Sequence, residues 1–189
     1  MKKIKILIPV YNDWESVFKL LENINLEASK IDINFSVIIV NDSSTDSKPK
    51  LSTSLDNLKS IQIIHMKENK GHARCNAAGL KYIYEKEDFD YVIPMDADGE
   101  DRPEELSLLI KKIKEYPDTV VTANRVKRSE GFIFKLCYLV HKYLTLVFTG
   151  QNIKYGNYTC LPKPTVHAMV NEPATWNSFS GSLAKTVKD

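Results

Sequence analysis

Hydrophobic residues recur along the first two thirds of the chain in two spacings, one typical of buried strands and one typical of amphipathic helices. The strand pattern is short and rich in branched aliphatic residues, and it predicts strands at residues 3–9, 35–40, 61–65, 91–95 and 119–123. The helical pattern predicts helices over residues 13–26, 71–85 and 103–116. Because strands and helices alternate, with a further helix allowed between the second and third strands, the order predicts an α/β fold with a mostly parallel sheet and helices on both faces.

Polar clusters stand where four of these strands end. They are Tyr11-Asn12-Asp13, Asn41-Asp42, Asp96-Ala97-Asp98 and Asn124-Arg125. Sheets of this class bind ligands at the carboxyl ends of their strands. One polar cluster would mean little, but four at the same edge predict a single crevice.

Composition and charge narrow the classes of ligand that such a crevice would take. The chain has 189 residues, 43% of them hydrophobic, and a net charge of +2, which excludes a collagen-like, disordered or low-complexity protein. Residues 85–105 hold ten acidic and two basic residues, whereas residues 106–189 hold twelve basic and five acidic ones. Nucleic-acid binding would need a coherent basic face, so we exclude it. This distribution suits a site where the acidic segment binds a cation and the later basic residues bind an anion. Solvated helix faces would give the same charge counts.

The cysteines and histidines show no metal-binding or disulfide pattern. Cys75, Cys137 and Cys160 are far apart, which disfavours a disulfide scaffold or zinc ribbon and favours a reducing compartment. The four histidines lack metal-ligand spacing, and we interpret them as structural. Among them, His72 lies in a loop of the predicted crevice.

Residues 131–150 are apolar almost throughout but are interrupted by Lys135 and Lys142, so they fall short of a transmembrane helix. Three interpretations stay open: a helix buried between the sheet and the tail, a helix that contacts a membrane surface or a partner, and a truncated transmembrane hairpin.

The crevice residues carry their own chemistry. Asp96 and Asp98 end a strand two residues apart, and such carboxylates suit Mg²⁺ or Mn²⁺ completed by substrate phosphates, with Glu100 as a further oxygen donor. Asp42 would bond a base or a ribose, or would cap a helix. Gly71 and Arg74 stand at a predicted helix start, a place that favours anions.

The order of these motifs resembles glycosyltransferase family 2, which has the GT-A fold. The motifs are Ile8-Pro9-Val10-Tyr11-Asn12-Asp13, Val40-Asn41-Asp42-Ser43-Ser44-Thr45-Asp46, Asn69-Lys70-Gly71-His72-Ala73-Arg74-Cys75-Asn76, and Met95-Asp96-Ala97-Asp98 with Arg102-Pro103-Glu104-Glu105. They span roughly residues 4–125 and are similar to the polyprenyl-phosphate glycosyltransferases of the dolichol-phosphate mannose synthase type.

The resemblance implies an inverting, metal-dependent transfer of a sugar from a UDP- or GDP-type donor in cell-envelope glycan synthesis. It assigns Asp96, Asp98 and Glu100 to a Mg²⁺ or Mn²⁺ ion, and Asp98 and Arg125 to catalysis. The donor-binding set that it implies is Pro9, Tyr11, Asp13, Asp42, Gly71, Arg74, Asp96, Ala97, Asp98, Arg125 and Arg128.

The acceptor stays open between a polyprenyl phosphate and a saccharide. A lipid phosphate is already an anion, whereas an alcohol needs a general base, for which Glu172 is the candidate. Gly156-Asn157-Tyr158 stands where lipid-phosphate enzymes have an acidic G-D-F motif.

We divide the chain into a donor-binding core at residues 1–128 and, at 129–189, the apolar helix with a minimal or truncated acceptor-side region. We expect a cytoplasmic protein, peripheral at the cytoplasmic face of a membrane, and a homo-oligomer is compatible with the sequence. A nucleotidyltransferase is disfavoured because Pro9-Val10-Tyr11-Asn12 replaces the G-x-G-T-R loop of those enzymes. A non-catalytic GT-A module that binds the nucleotide sugar or recruits a partner is the alternative.

Overall fold

A computed structural model describes residues 1–50, 53–123 and 156–187. The strands are β1 (Lys3–Val10), β2 (Asn34–Asn41), β3 (Ser60–His65), β4 (Tyr91–Pro94), β5 (Val121–Thr122) and β6 (Thr159–Pro162). The helices are α1 (Trp14–Ala28), α2 (His72–Lys86), α3 (Leu106–Glu115), α4 (Lys163–Val170) and α5 (Phe179–Thr186), with 3₁₀ turns at Pro103–Glu105 and Pro173–Trp176.

The six strands form one sheet in the order β3-β2-β1-β4-β6-β5. β1 lies between β2 and β4 and pairs in parallel with both, and β3 extends the parallel part on the far side of β2. The predicted α/β fold with a mostly parallel sheet is therefore confirmed. The described residues between β2 and β3 contain no helix, so the optional element is absent from that part of the chain.

The distal edge of the sheet differs from the prediction. β6 was not predicted, and it pairs antiparallel with both β4 and β5. The strand predicted at 119–123 is reduced to two residues that pair with β6. Because β6 is antiparallel to both of its neighbours, β5 runs in the same direction as β4 and ends at the same edge.

Alternate residues of the central strands enter two separate cores. Ile4, Ile6 and Ile8 of β1 face α1 and α3, where they pack with residues such as Val17, Ile24 and Ile110. Leu7 faces the other side and packs with the residues of α2. Helices cover both faces, which explains why β1 reads as a continuous apolar run rather than an alternating one.

The second core also holds the end of the described chain. Val166 and Met169 of α4 and Phe179 and Leu183 of α5 are buried with Leu80 and Ile83 of α2. The Thr175 hydroxyl donates to the Met169 carbonyl at 2.6 Å and ties the 3₁₀ turn to α4. Residues 159–187 thus pack on the same sheet as residues 1–123. The predicted boundary at 128 lies outside the described residues, so the division into two regions stays a prediction.

No helix among the described residues is long and apolar enough to cross a membrane. The apolar segment 131–150 lies outside the described residues.

Gly79 lets α2 lie directly on the sheet. A Cβ atom added at Gly79 would stand 2.3 Å from Leu7 Cδ1 and 2.9 Å from Val40 Cγ2. Both distances are far below van der Waals contact, and the core around them is fully packed. The absence of a side chain at Gly79 therefore fixes the distance between α2 and strands β1 and β2.

We expect Gly79→Ala to lower the free energy of unfolding by about 1–3 kcal/mol, because the new methyl group overpacks the core. Helix propensity alone would raise stability by about 1 kcal/mol, so the two effects predict opposite signs. Urea denaturation followed by Trp fluorescence measures the difference. Ala78→Gly, at a half-buried neighbouring position, shows the propensity effect alone. A Gly79→Ala protein that is more stable than the wild type would contradict the packing described here.

Candidate functional site

The loops that follow β1 and β2 are joined by the side chain of Asn12. Asn12 has a φ of 51°, a left-handed conformation that asparagine tolerates better than most residues. Its Oδ1 accepts hydrogen bonds from the backbone of Thr45 at 2.8 Å and of Asp46 at 3.2 Å, and its Nδ2 donates to Thr45 Oγ1 at 2.9 Å. Asn12 therefore acts as a clamp between the two loops, a role that its place in a motif did not reveal.

Asp42 joins β2 to the loop before α2. Its carboxylate is 3% exposed and accepts from the backbone of Lys70 at 2.8 Å and of Gly71 at 2.7 Å. Gly71 has a φ of 85°, which residues with a side chain rarely adopt, so the loop needs glycine there. Asp42 thus has a structural partner at each oxygen, and the helix-cap alternative is replaced by a longer-range contact.

The charge of Asp42 also acts on Cys75, which is buried in the first turns of α2. Burial, together with the charge of the Asp42 carboxylate and a hydrogen bond to it, raises the pKa of the Cys75 thiol to about 12. Since only the thiolate is a nucleophile, Cys75 stays inert at neutral pH.

Asp96, the first carboxylate of the D-x-D motif, is held from three sides. His72 Nε2 donates to its Oδ1 at 2.7 Å, and Asn157 Nδ2 donates to its Oδ2 at 3.3 Å. Its own backbone N–H donates to the buried Asp101 at 2.8 Å. The hydrogen bond to Asp96 raises the pKa of His72 above its ordinary value, and the charges of Asp96, Asp98 and Asp101 act in the same direction against desolvation.

Asp98, the second carboxylate of the motif, begins a tight turn. Its Oδ1 accepts from the Glu100 backbone at 2.9 Å, and Gly99 between them has a φ of 83°. Asp98 is exposed to solvent, whereas Asp96 is half-buried. The turn therefore presents the second carboxylate outward, where a ligand can reach it.

A pocket of about 230 Å³, here named the β1–β4 pocket, lies where these two strands end. It contains six residues of the predicted donor-binding set, namely Pro9, Tyr11, Asp13, Asp96, Ala97 and Asp98. Val10, Val17 and His72 complete its lining. His72 was interpreted as structural from the sequence, and its place in a crevice loop was the only signal that it would face the pocket. A second pocket of about 360 Å³ lies against α1 and shares Ala97 and Asp98 with the first.

Other residues of the predicted set do not line the β1–β4 pocket. Asp42 and Gly71 contact each other and are not among the lining residues, and Arg74 is exposed on the first turn of α2. Glu100 lines neither of the two pockets. Arg125 and Arg128 lie outside the described residues. The assignment of these residues to donor, cation or catalysis stays a prediction.

Glu172, the predicted base, has contacts of a structural kind. Its Oε1 accepts from the Ala174 backbone at 3.1 Å, which caps the 3₁₀ turn, and lies 3.7 Å from Lys185 Nζ. Within the described part of the chain, Glu172 lines neither pocket. Its catalytic role stays a prediction that these contacts do not support.

The donor set of the β1–β4 pocket fits a hard divalent cation. Asp96 and Asp98 supply two carboxylates, and among the described residues no group of three His, Cys, Asp or Glu side chains forms a cage for a metal. Mg²⁺ and Mn²⁺ are commonly bound by one or two carboxylates together with substrate phosphates. The residues present match that mode of binding rather than an all-protein site.

Comparison with known sequences identifies the family. The profile of the family described as Glycosyl transferase family 2 matches residues 5–171, which is most of the chain. The chain belongs to glycosyl transferase family 2. The predicted resemblance is thereby confirmed, and with it the assignment to glycosyltransferases.

Two curated relatives of this family 2 chain are both named undecaprenyl-phosphate 4-deoxy-4-formamido-L-arabinose transferase. The relative from Proteus mirabilis is 28% identical over 161 residues, covering 85% of this chain and 48% of the relative. The relative from Serratia proteamaculans is 28% identical over 177 residues, covering 90% and 52%. The chain therefore spans about half the length of the curated relatives it matches.

Solved structures show the fold. A mannosyltransferase from Pyrobaculum calidifontis, in complex with GDP-Man and Mn²⁺, aligns with a TM-score of 0.57 and 18% identity over 88% of this chain and 46% of that one. Glucosyl-3-phosphoglycerate synthase from Mycobacterium tuberculosis, in complex with Mn²⁺, UDP-Glc and phosphoglyceric acid, aligns with a TM-score of 0.60 and 13% identity over 88% and 59%. The fold of this chain is the GT-A fold, as predicted.

We expect Asp42→Asn to destabilise the protein by about 1–3 kcal/mol, because an amide can accept only one of the two buried backbone hydrogen bonds and turns a donor toward the other. Asp46→Asn is the matched control, since Asp46 is exposed in the same loop and its change should stay within about 0.5 kcal/mol. Chemical denaturation of both variants provides the comparison. Equal stabilities would show that the Asp42 contacts contribute nothing.

We expect Cys75 to react with iodoacetamide at pH 8 at least about a hundredfold more slowly in the native protein than in the unfolded chain, because its raised pKa and its burial suppress the thiolate. Peptide mapping by mass spectrometry assigns the label to each cysteine, and the same reaction in denaturant is the control. Comparable rates in both states would contradict the protonated, buried thiol.

Proposed function

We propose that this chain carries the donor-binding part of an inverting glycosyltransferase that takes a sugar from a nucleotide diphosphate sugar of the UDP or GDP type. The observation that supports this most directly is the β1–β4 pocket, where Asp96 and Asp98 stand together with Pro9, Tyr11 and Asp13. A nucleotide diphosphate sugar has a flat, stackable base at one end and, beyond the ribose, a diphosphate that carries two negative charges. The pocket offers side chains of both kinds in one cavity.

The base and ribose would lie against the loop after β1. Tyr11 is 49% exposed at the edge of the pocket, so its ring is available for stacking. Asp13 caps α1 with its Oδ1, which accepts from the Ser16 backbone at 3.3 Å, and its other oxygen can accept from a ribose hydroxyl. In this arrangement the base and ribose lie near the loop after β1, and the diphosphate lies near the loop after β4.

The diphosphate and its cation would lie at the loop after β4. Asp96 and Asp98 would hold Mg²⁺ or Mn²⁺, and when bound that ion would stabilise the negative charge that develops on the leaving diphosphate. The named complexes of the Pyrobaculum calidifontis and Mycobacterium tuberculosis proteins contain Mn²⁺, which supports a divalent cation in this fold. Arg125 and Arg128 are proposed as further contacts of the diphosphate, and Arg125 and Asp98 as catalytic residues.

For the acceptor, we favour a polyprenyl phosphate over a saccharide, as part of cell-envelope glycan synthesis. The curated relatives are named for transfer to undecaprenyl phosphate. A phosphate acceptor is already a nucleophilic anion and needs no general base, which agrees with the structural contacts of Glu172. Such an acceptor resides in a membrane, so we also propose peripheral association with its cytoplasmic face.

We expect Asp98→Ala to weaken the binding of UDP or GDP in the presence of Mn²⁺ by about tenfold or more, since it removes half of the carboxylates available to the cation. Isothermal titration calorimetry with each nucleotide, with and without Mn²⁺, measures the loss. Asp32→Ala removes an exposed carboxylate outside both pockets and should bind as the wild type does. A wild-type chain that binds neither nucleotide would refute the proposed function.

We expect Glu172→Gln to change transfer to a polyprenyl phosphate by less than about threefold, because no proton has to be removed from that acceptor. If Glu172 instead serves as the base for an alcohol acceptor, the same change should reduce transfer by about 100-fold or more. Radiolabelled sugar transfer to each acceptor class distinguishes the two. Binding of the nucleotide sugar with neither release of diphosphate nor transfer to either acceptor would favour the non-catalytic binding module.

A further inference from the structure

Asn157 reaches the D-x-D motif from a distant part of the chain. It stands two residues before β6, and its Nδ2 donates to Asp96 Oδ2 at 3.3 Å across a separation of 61 residues. The backbone around it is anchored, because the Tyr158 carbonyl accepts from Ala123 at 3.0 Å and the Tyr158 hydroxyl donates to the Arg102 carbonyl at 2.8 Å. The antiparallel pairing of β6 with β4 places Asn157 at the same edge of the sheet as Asp96.

The amide of Asn157 has a particular effect on this contact. It supplies an N–H donor to the carboxylate but adds no negative charge. His72 Nε2 donates to the other oxygen of Asp96 at 2.7 Å. The two donors therefore orient Asp96 without adding negative charge to the site. Asp13 also lines the pocket, but no three His, Cys, Asp or Glu side chains of the described residues are grouped closely enough to hold a metal, so Asp96 and Asp98 are the acidic pair of the motif that would face a cation.

We propose that Asn157 is a positioning residue that determines how the site takes its cation: it orients Asp96 and leaves the cation dependent on the diphosphate of the donor. This inference rests on the proposed function, because it concerns the cation that the donor brings. Two carboxylates are too few for a dedicated cage, so water and oxygens of the diphosphate would supply the remaining ligands. Cation and nucleotide should then bind with strong mutual dependence, which by linkage is equal in both directions.

The geometry shows what a carboxylate at this position would do. Two neighbouring oxygen ligands of an octahedral ion with bonds of 2.0–2.1 Å lie about 3 Å apart. The Asn157 Nδ2 and Asp96 Oδ2 atoms are separated by 3.3 Å, close to that spacing. An aspartate at 157 would repel Asp96 without a cation and would share a cation with it as a third acidic ligand.

The direct test is the binding of Mn²⁺ alone to the whole chain, followed by electron paramagnetic resonance at constant pH. We expect Asn157→Asp to bind Mn²⁺ without nucleotide at least about tenfold more tightly than the wild type, because ligand charge sets the affinity of such sites. Asn177→Asp adds the same charge at an exposed position outside both pockets and should match the wild type. A folded Asn157→Asp protein with wild-type Mn²⁺ affinity overturns the inference.

A second variant tests the positioning role by subtraction. Asn157→Ala removes the donor to Asp96, so we expect the affinity for UDP or GDP with Mn²⁺ to fall by about fivefold and the affinity without Mn²⁺ to stay unchanged. General damage to the fold would lower both affinities, which thermal melting also detects. An unchanged affinity with Mn²⁺ overturns the positioning role.

The two experiments separate this inference from the proposed function. A wild-type chain that binds neither UDP nor GDP with Mn²⁺ would refute the proposed function. The comparison of Asn157→Asp with the wild type uses Mn²⁺ alone, so it tests the effect of residue 157 on the cation site whichever way the nucleotide experiment turns out.

Discussion

The parallel pairing of β1 with β2 on one side and β4 on the other is the constraint on which the site depends. The register sets Val10 opposite Asn41 and Leu7 opposite Pro94, so all three strands end within a few residues of one another. The ladder continues beyond the strands, because Asp42 N donates to the Val10 carbonyl at 2.8 Å and Met95 N donates to the Leu7 carbonyl at 2.9 Å. Three loops distant in sequence are thereby brought to one edge before any polar side chain contributes.

Three side chains then connect loops that the backbone has only brought near. Asn12 binds the loop after β2, Asp42 binds the loop before α2, and Asp96 receives donors from α2 and from the residue pair before β6. Each of these side chains accepts at least two hydrogen bonds, and Asp42 is almost fully buried, so its loss would leave backbone donors unpaired. Stability and site geometry therefore rest on the same residues. A substitution at Asn12 or Asp42 should alter both, and denaturation measurements have to accompany binding measurements there.

The sequence predicted the parallel core, and it predicted that the loops after β1 and β4 meet in one crevice, because both follow from local patterns. Apolar runs ending in polar clusters specify strands, and parallel order specifies which ends meet. β6 was not predicted because it has only four residues, Thr159 to Pro162, and carries no alternating pattern. The long-range contacts of Asn12, His72 and Asn157 were not predicted, because hydrogen bonds across 33, 24 and 61 residues leave no periodic signal in one sequence. Position in a motif marked Asp42 as a site residue but did not show that two backbone N–H groups occupy its oxygens.

In the proposed cation site, the contrast between the two carboxylates of the motif bears on selectivity between Mg²⁺ and Mn²⁺. Asp96 is oriented by His72 and Asn157, whereas Asp98 is exposed on a turn that contains Gly99 with its positive φ. One oriented and one exposed carboxylate define the side from which a cation would approach, but they do not fix all six ligand positions of its shell. Discrimination between Mg²⁺ and Mn²⁺ depends on a rigid ligand geometry of fixed size, which two carboxylates cannot impose alone. Under the proposed function, a diphosphate that supplies oxygens to the shell would therefore share in the selection of the ion.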